Sequence, residues 1–228
     1  MPAHSRPSAL APEIIFEDPH LIVLSKPAGL LSQGEHTGDE NLVDGLREYL
    51  GRNYVGLIHR LDRNTSGIMV VAKRTKAAQR LTASLQNGEL VRSYLAWVEG
   101  RIPAPAQWRH HLLKDEKQNI TRVVQEGTGK EAILSLQPRA EAVLEGHPVT
   151  LIELVLETGR SHQIRAQASH EKHPLVGDLK YGGLRTALIS RPALHSYSIR
   201  FPHPMGGAPM SFQAPIPQDF SRISKSSL

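Results

Sequence analysis

Residues 59–73 read HRLDRNTSGIMVVAK. Ile68 to Ala72 is a continuous apolar run bounded by Gly67 and Lys73, the pattern of a strand buried on both faces. Ahead of it a single carboxylate, Asp62, sits between Arg60 and Arg63, and Gly67 lets the chain turn tightly into the strand. The stretch therefore sets a central strand and a charged loop at the rim of the core side by side. An aspartate so placed can cap a turn through Thr65 or Ser66, or it can be a reactive group. The stretch alone leaves both open.

Outward from this strand the elements alternate irregularly. HLIVL at 20–24 reads as a strand ended by the turn Lys26-Pro27-Ala28-Gly29. A helix is expected near Asn41 to Leu50, with Leu42, Val43, Leu46, Tyr49 and Leu50 on one face and Gly51 closing it. A second helix follows Lys73, with Thr75 as its N-cap, Ala77, Ala78, Leu81 and Leu85 inward, and Gly88 past its end. VRSYLAWV at 91–98 alternates as a strand, Tyr94 falling on the face opposite Leu95 and Trp97. Residues 101–130 show no clear period and read as loops and short strands. Ala132–Gln137 and Val149–Leu156 read as strands, Ser161 as the cap of a helix SHQIRAQASHE, and Leu194–Phe201 as a last strand. Strands outnumber helices without regular βαβ alternation, so the expected class is α+β with a mixed or antiparallel sheet. Residues 1–12 are expected to be a loose tail and 13–228 a single domain.

The 228 residues include no cysteine, which excludes disulfides, thiolate catalysis and cysteine-based metal sites. Lys and Arg number 27 against 22 Asp and Glu, and the sequence pI is about 9.6. That balance favours a polyanionic partner, nucleic acid first. The basic residues gather between Arg60 and Arg80 and again at Arg109, Lys114, Lys117, Arg122 and Lys130. The second group reads equally well as solvated loop. No signal peptide or membrane-spanning run is present in the sequence, so a soluble cytoplasmic protein is expected.

A second constellation, TGRSHQIR at 158–165, bears on Asp62. A helix start preceded by Gly159-Arg160 offers N–H groups and positive charge to a phosphate. Arg165 can pair with a buried carboxylate, keeping it ionised and oriented by a bidentate fork. An aspartate held that way can attack an electrophilic carbon or stabilise a cationic transition state.

HRLDRNTSG resembles the signature of the RluA-type pseudouridine synthases. KPAGLL at 26–31, RSYLAWVEG at 92–100, TGRSHQIRAQ at 158–167, HPLVGDLKYG at 173–182 and LHSYSIRFPHP at 194–204 resemble that family's other motifs, in the family's order. The resemblance covers roughly residues 13 to 215. It implies a bent mixed sheet, mostly antiparallel, flanked by helices and loops, with a central RNA-binding cleft. It implies isomerisation of uridine to pseudouridine in structured RNA, rRNA or tRNA, without metal or other cofactor and by a monomer. By the same resemblance Asp62 matches the catalytic aspartate, which either attacks C1′ or takes the C2′ proton. Tyr94 matches the tyrosine that stacks on uracil and removes the C5 proton, and Arg165 the arginine that pairs with the aspartate. Arg60 matches the arginine that enters the RNA stack, Ile164 and Leu175 match apolar contacts, and Lys26 a contact near the cleft. His59 and His162 are read as structural or RNA contacts.

The sequence departs from the common pattern at Ala166-Gln167-Ala168, where many members have Val-His-Leu, and at Lys172, where glycine is usual. Both put substrate identity in question more than catalysis. Too few residues precede the first motif for the S4-type RNA-binding domain of some relatives, so a stand-alone catalytic domain is expected. The competing reading is a non-catalytic RNA-binding or chaperone module using the same basic cleft. A metal hydrolase lacks its usual histidine spacing, and a glycoside hydrolase lacks a second opposed carboxylate.

Overall fold

The computed structural model describes residues 12–34 and 38–225. The expected tail, apart from Pro12, lies outside them. The described residues group into two compact units, one holding residues up to 90 together with 199–215, the other 91–198 with the residues from 216 onward.

In the first unit β1 (Glu13–Glu17) pairs with β2 (Leu21–Lys26), and β2 with β4 (Ser66–Ala72), both antiparallel. The short β3 (Gly56–Leu57) also lies on β4, and the C-terminal end of β10 (Leu194–Pro202) and β11 (Pro209–Gln213) complete the unit's sheet. β4 is buried at every position, as its unbroken apolar run requires. Its register sets Lys26 opposite Gly67, which brings the turn after β2 beside the loop that carries Asp62. Leu21, Val23, Ile68, Val70, Ile199 and Phe201 share a core with Ala77 and Leu81 of helix α2 (Thr75–Gln86).

Helix α1 (Leu42–Leu50) has the expected ends. The Asn41 side chain accepts from the Asp44 N–H, and Gly51 at φ 59° donates back to the last turn. Two expectations fail locally. Tyr49 is 59% exposed, because its hydroxyl bonds the Glu17 carboxylate and keeps the ring out of the core. Thr75 is the first helical residue and not a cap; Arg74 takes the extended cap position, with no side-chain bond.

The second unit runs in the order β10, β5 (Val91–Glu99), β9 (His147–Leu156), β8 (Lys130–Leu144), β6 (Ala106–Asp115), β7 (Ile120–Val124). Residues 101–130, expected as loops and short strands, hold a regular antiparallel hairpin, β6–β7, whose turn is tied by the Asp115 carboxylate to the N–H groups of Lys117 and Gln118. β8 does not stop at Gln137. A register shift between Pro138 and Ala140 absorbs the proline, and the strand continues to a two-residue turn, Glu145-Gly146, with both φ positive. Ser161 does not cap the helix that follows. α3 (Gln163–His170) starts after His162, which is left-handed at φ 50°. A turn of 3-10 helix, Leu179–Tyr181, and helix α4 (Gln218–Lys225) complete the unit. Taken by pairing, the sheet is mixed and mostly antiparallel, as expected.

Candidate active site

The Asp62 loop is fixed by the turn that follows β2. Lys26 is fully buried, and its ammonium donates to the carbonyls of Pro27 at 2.9 Å, Leu30 at 2.7 Å and Arg63 at 3.2 Å. The Gly29 N–H donates to the same Arg63 carbonyl at 2.8 Å, and the Arg63 guanidinium returns a bond to the Gly29 carbonyl. On the other side of Asp62, the Ser32 hydroxyl donates to the Leu61 carbonyl and accepts from the Leu61 N–H. The Asp62 carbonyl accepts from Thr65 N–H at 3.0 Å, closing the turn. The residues on both sides of Asp62 are thus pinned, while Asp62 itself is partly exposed and Arg60 exposed. His59 is buried, and its Nε2 accepts from the Val70 N–H at 3.3 Å. Lys26 and His59 hold the loop in place, a structural contact being one of the two readings given for His59; sequence spacing reveals neither the part of Lys26 nor that of Ser32.

Tyr94, Ile164, Arg165 and Leu175 belong to the second unit. Tyr94 lies mid-strand in β5 opposite Leu154 and is 3% exposed. Ile164 is buried on α3, and Leu175 is fully buried, bridging to Val98. Arg165 is engaged by a residue the sequence did not single out. Its Nε and Nη2 each donate at 2.7 Å to the two carboxylate oxygens of Asp178, a fork-to-fork pair with side chains 10% and 1% exposed. The Arg165 guanidinium also lies 4.8 Å from the centroid of Tyr181. The Tyr181 hydroxyl accepts from the Thr121 N–H at 2.8 Å and lies at hydrogen-bond distance, 2.9 Å, from His162 Nδ1. Burial pushes the Tyr181 phenol above its ordinary pKa, against smaller lowering by the Thr121 N–H and Arg165.

His110, His170 and Glu171 bring possible ligand atoms within 4.8 Å of one another. The surroundings of His110 oppose metal binding. Its Nε2 bonds Glu171 at 2.9 Å, and its Nδ1 faces the Gln167 amide nitrogen at 3.0 Å. That amide nitrogen is fixed as a donor by the carbonyls of Trp108 and Ala132. A metal on Nε2 would require a proton on Nδ1, aimed at another donor.

The Asp62 loop belongs to the first unit, and the Tyr94 strand and the Arg165–Asp178 fork to the second. The model of the RNA pseudouridylate synthase family matches residues 20–170, and the chain belongs to that family. It is 36% identical over 236 residues to a ribosomal large subunit pseudouridine synthase D of Neisseria meningitidis serogroup A, covering 95% of this chain and 61% of that protein. It is 35% identical to the synthase D of Escherichia coli O6:H1, covering 97% of this chain and 72% of the other. The chain thus spans about three fifths of the length of the Neisseria relative. Among solved structures it resembles Human RNA Pseudouridylate Synthase Domain Containing 1, with TM-score 0.76 and 24% identity over 93% of this chain and 86% of that one, a likeness of fold. Among the described residues no helix is long and apolar enough to cross a membrane.

Proposed function

We propose that this chain isomerises uridine to pseudouridine in structured RNA, with large-subunit rRNA as the substrate class and tRNA as the second. The observation that carries the reading is the Asp62 loop. Its backbone is held on both sides through Leu61 and Arg63, and Asp62 between them is partly exposed. A loop needed only to turn the chain has no use for so rigid a mounting. Names of the relatives support rRNA as the class of substrate.

The reaction breaks the N1–C1′ bond, rotates the uracil and forms a C5–C1′ bond; C5 loses its proton and N1 gains one. Asp62 acts on the ribose, by attack on C1′ or removal of the C2′ proton. Tyr94 supports the uracil ring and takes the C5 proton. Arg165, oriented by Asp178, supplies fixed positive charge to the site. Arg60, exposed on the loop, enters the RNA stack where the uridine leaves it, offsetting the few kcal/mol that unstacking costs. Ile164 and Leu175 provide apolar surroundings. Action as a cytoplasmic monomer without a cofactor belongs to the same proposal.

The test is pseudouridine mapping on total RNA from cells with and without the protein, rescued by wild type or by Asp62→Asn. A site lost with the protein and restored only by the aspartate form supports the reading and names the RNA. Restoration by Asp62→Asn contradicts a catalytic Asp62. A full set of unchanged sites favours a binding module.

A further inference from the structure

Asp178 and Tyr181 belong to one turn. The 3-10 helix Leu179–Tyr181 starts after Asp178, and the Tyr181 N–H donates to the Asp178 carbonyl at 3.0 Å. A 3-10 helix has three residues per turn, so side chains at i and i+3 eclipse and leave on one side. Here both meet Arg165. The Asp178 carboxylate takes the Nε and Nη2 edge, and the centroid of the Tyr181 ring lies 4.8 Å from the guanidinium carbon. The turn is tightly closed. The Gly183 N–H donates to the same Asp178 carbonyl at 2.9 Å, and a Cβ at Gly183 would come within 2.0 Å of the Leu175 carbonyl oxygen.

Other elements of the same unit hold Tyr181 in place. Its carbonyl accepts from the Ser169 hydroxyl at 2.7 Å, and its hydroxyl accepts from the Thr121 N–H of β7 at 2.8 Å and lies 2.9 Å from His162 Nδ1. His162, Arg165 and Ser169 recur at helical spacing, so one face of α3 meets Tyr181, and Ala166 shares its apolar cluster. His162 is left-handed at φ 50°, a conformation that disfavours any side chain and suits glycine. The imidazole at that position meets the Tyr181 ring edge to face, with the ring planes at 87°. Core packing alone would ask only for an apolar ring at 181. It does not call for a hydroxyl with two neighbours or for a guanidinium against the ring.

A carboxylate fork holds a guanidinium within its own plane and leaves the tilt of that plane to other contacts. The Tyr181 ring supplies one. Burial holds its phenol above the ordinary pKa, so at neutral pH the ring adds no second negative charge to an arginine that Asp178 already balances. We propose that Tyr181 is a positioning residue for Arg165: with Asp178 it sets the orientation of the guanidinium, and β7 and His162 hold it there. This deepens the reading of the chain as an RNA uridine isomerase and rests on it. Tyr181 acts through Arg165 and takes no part in bond changes.

The experiment measures tritium release from rRNA labelled at uracil C5 and taken from cells that lack the protein, with thermal melts of every variant alongside. Tyr181→Leu removes the ring and is expected to lower kcat about tenfold, with KM within about threefold of wild type. Tyr181→Phe keeps the ring, loses its hydroxyl anchors and should lower kcat about threefold. Both losses should shrink below about twofold in an Arg165→Lys background, where no planar guanidinium is left to orient. A loss of equal size in both backgrounds overturns the positioning role, and so does a rise in KM with kcat unchanged. Should Tyr181→Leu not fold, Tyr181→Phe is carried through the same cycle and decides. A second readout needs no turnover and decides if Arg165→Lys releases no tritium. Rotation of the Arg165 guanidinium, read by NMR from exchange of its Nη hydrogens, should be slow in wild type, faster in Tyr181→Phe and fastest in Tyr181→Leu. A rotation rate that neither substitution changes overturns the proposal. The two readings fail separately: no release by wild type overturns the enzymatic reading, and an unchanged rotation rate overturns the positioning role whatever the release.

Discussion

Arg165 and Asp178 form a buried bidentate ion pair, with both contacts at 2.7 Å. The arginine comes from α3 and the aspartate from the segment before the 3-10 turn, so the pair ties the two together. Asp178 is 1% exposed. Removing one partner of such a pair leaves the other's charge poorly compensated. Asp178→Ala is expected to cost about 3–5 kcal/mol, measured by urea unfolding. Turnover should fall further than stability explains, because Arg165 loses its orientation. A variant as stable as wild type would contradict the role given to Asp178.

Gly177, next to that aspartate, is at φ 76°, and a Cβ there would come within 2.3 Å of the Arg191 carbonyl oxygen. Neither the backbone conformation nor the space suits a side chain. Gly177→Ala is expected to destabilise by about 3 kcal/mol, from left-handed strain and steric overlap together. Thermal unfolding reads this directly, and a shift within error of wild type would contradict it.

Lys26 spends its ammonium on three carbonyls, one of them that of Arg63 beside Asp62. Lys26→Met leaves those acceptors unserved and should cost about 3 kcal/mol, with loss of turnover through a loosened Asp62 loop. Since the ammonium is used internally, the salt slope of RNA binding should stay at its wild-type value. A slope shallower by one contact would make Lys26 a direct RNA ligand instead.

Burial holds the His110 imidazole below its ordinary pKa. Nearby Glu171 pulls it upward and His170 downward, and the net shift is down. The Gln167 amide facing Nδ1 agrees, since it opposes a second proton. The unfolded chain therefore takes up a proton near pH 6.5 that the folded chain refuses. Stability from this group is complete above that pH and falls as pH drops below it, toward the folded pKa. Urea unfolding between about pH 7.5 and 5 should show this loss, and His110→Gln should reduce it. An equal slope in both proteins would place the pH dependence elsewhere.

The elements legible in the sequence were those whose pattern is local. β4 announced itself by an unbroken apolar run, and α1 by its apolar face and Gly51 at its end. The β6–β7 hairpin was hidden because its faces are mostly exposed, with only Trp108 and Leu112 buried along β6. The continuation of β8 was hidden by Pro138, which reads as a stop unless the bulge is known. In the site, Asp62 stood out through its flanking arginines. Asp178 did not, because an ion pair between a helix and an irregular turn leaves no period to detect. Lys26 looked like part of a turn, and its role depends on the β2–β4 register that brings Arg63 within reach.

Release of tritium from RNA labelled at uracil C5, with wild type and Asp62→Asn compared at equal protein and RNA, tests the central claim most directly. Formation of the C5–C1′ bond expels that hydrogen, so the account predicts release by wild type and none above background by Asp62→Asn, with oligonucleotide binding changed by no more than a few-fold. Release by Asp62→Asn at the wild-type rate would contradict a catalytic aspartate, and no release by wild type from any RNA class would contradict the enzymatic reading itself.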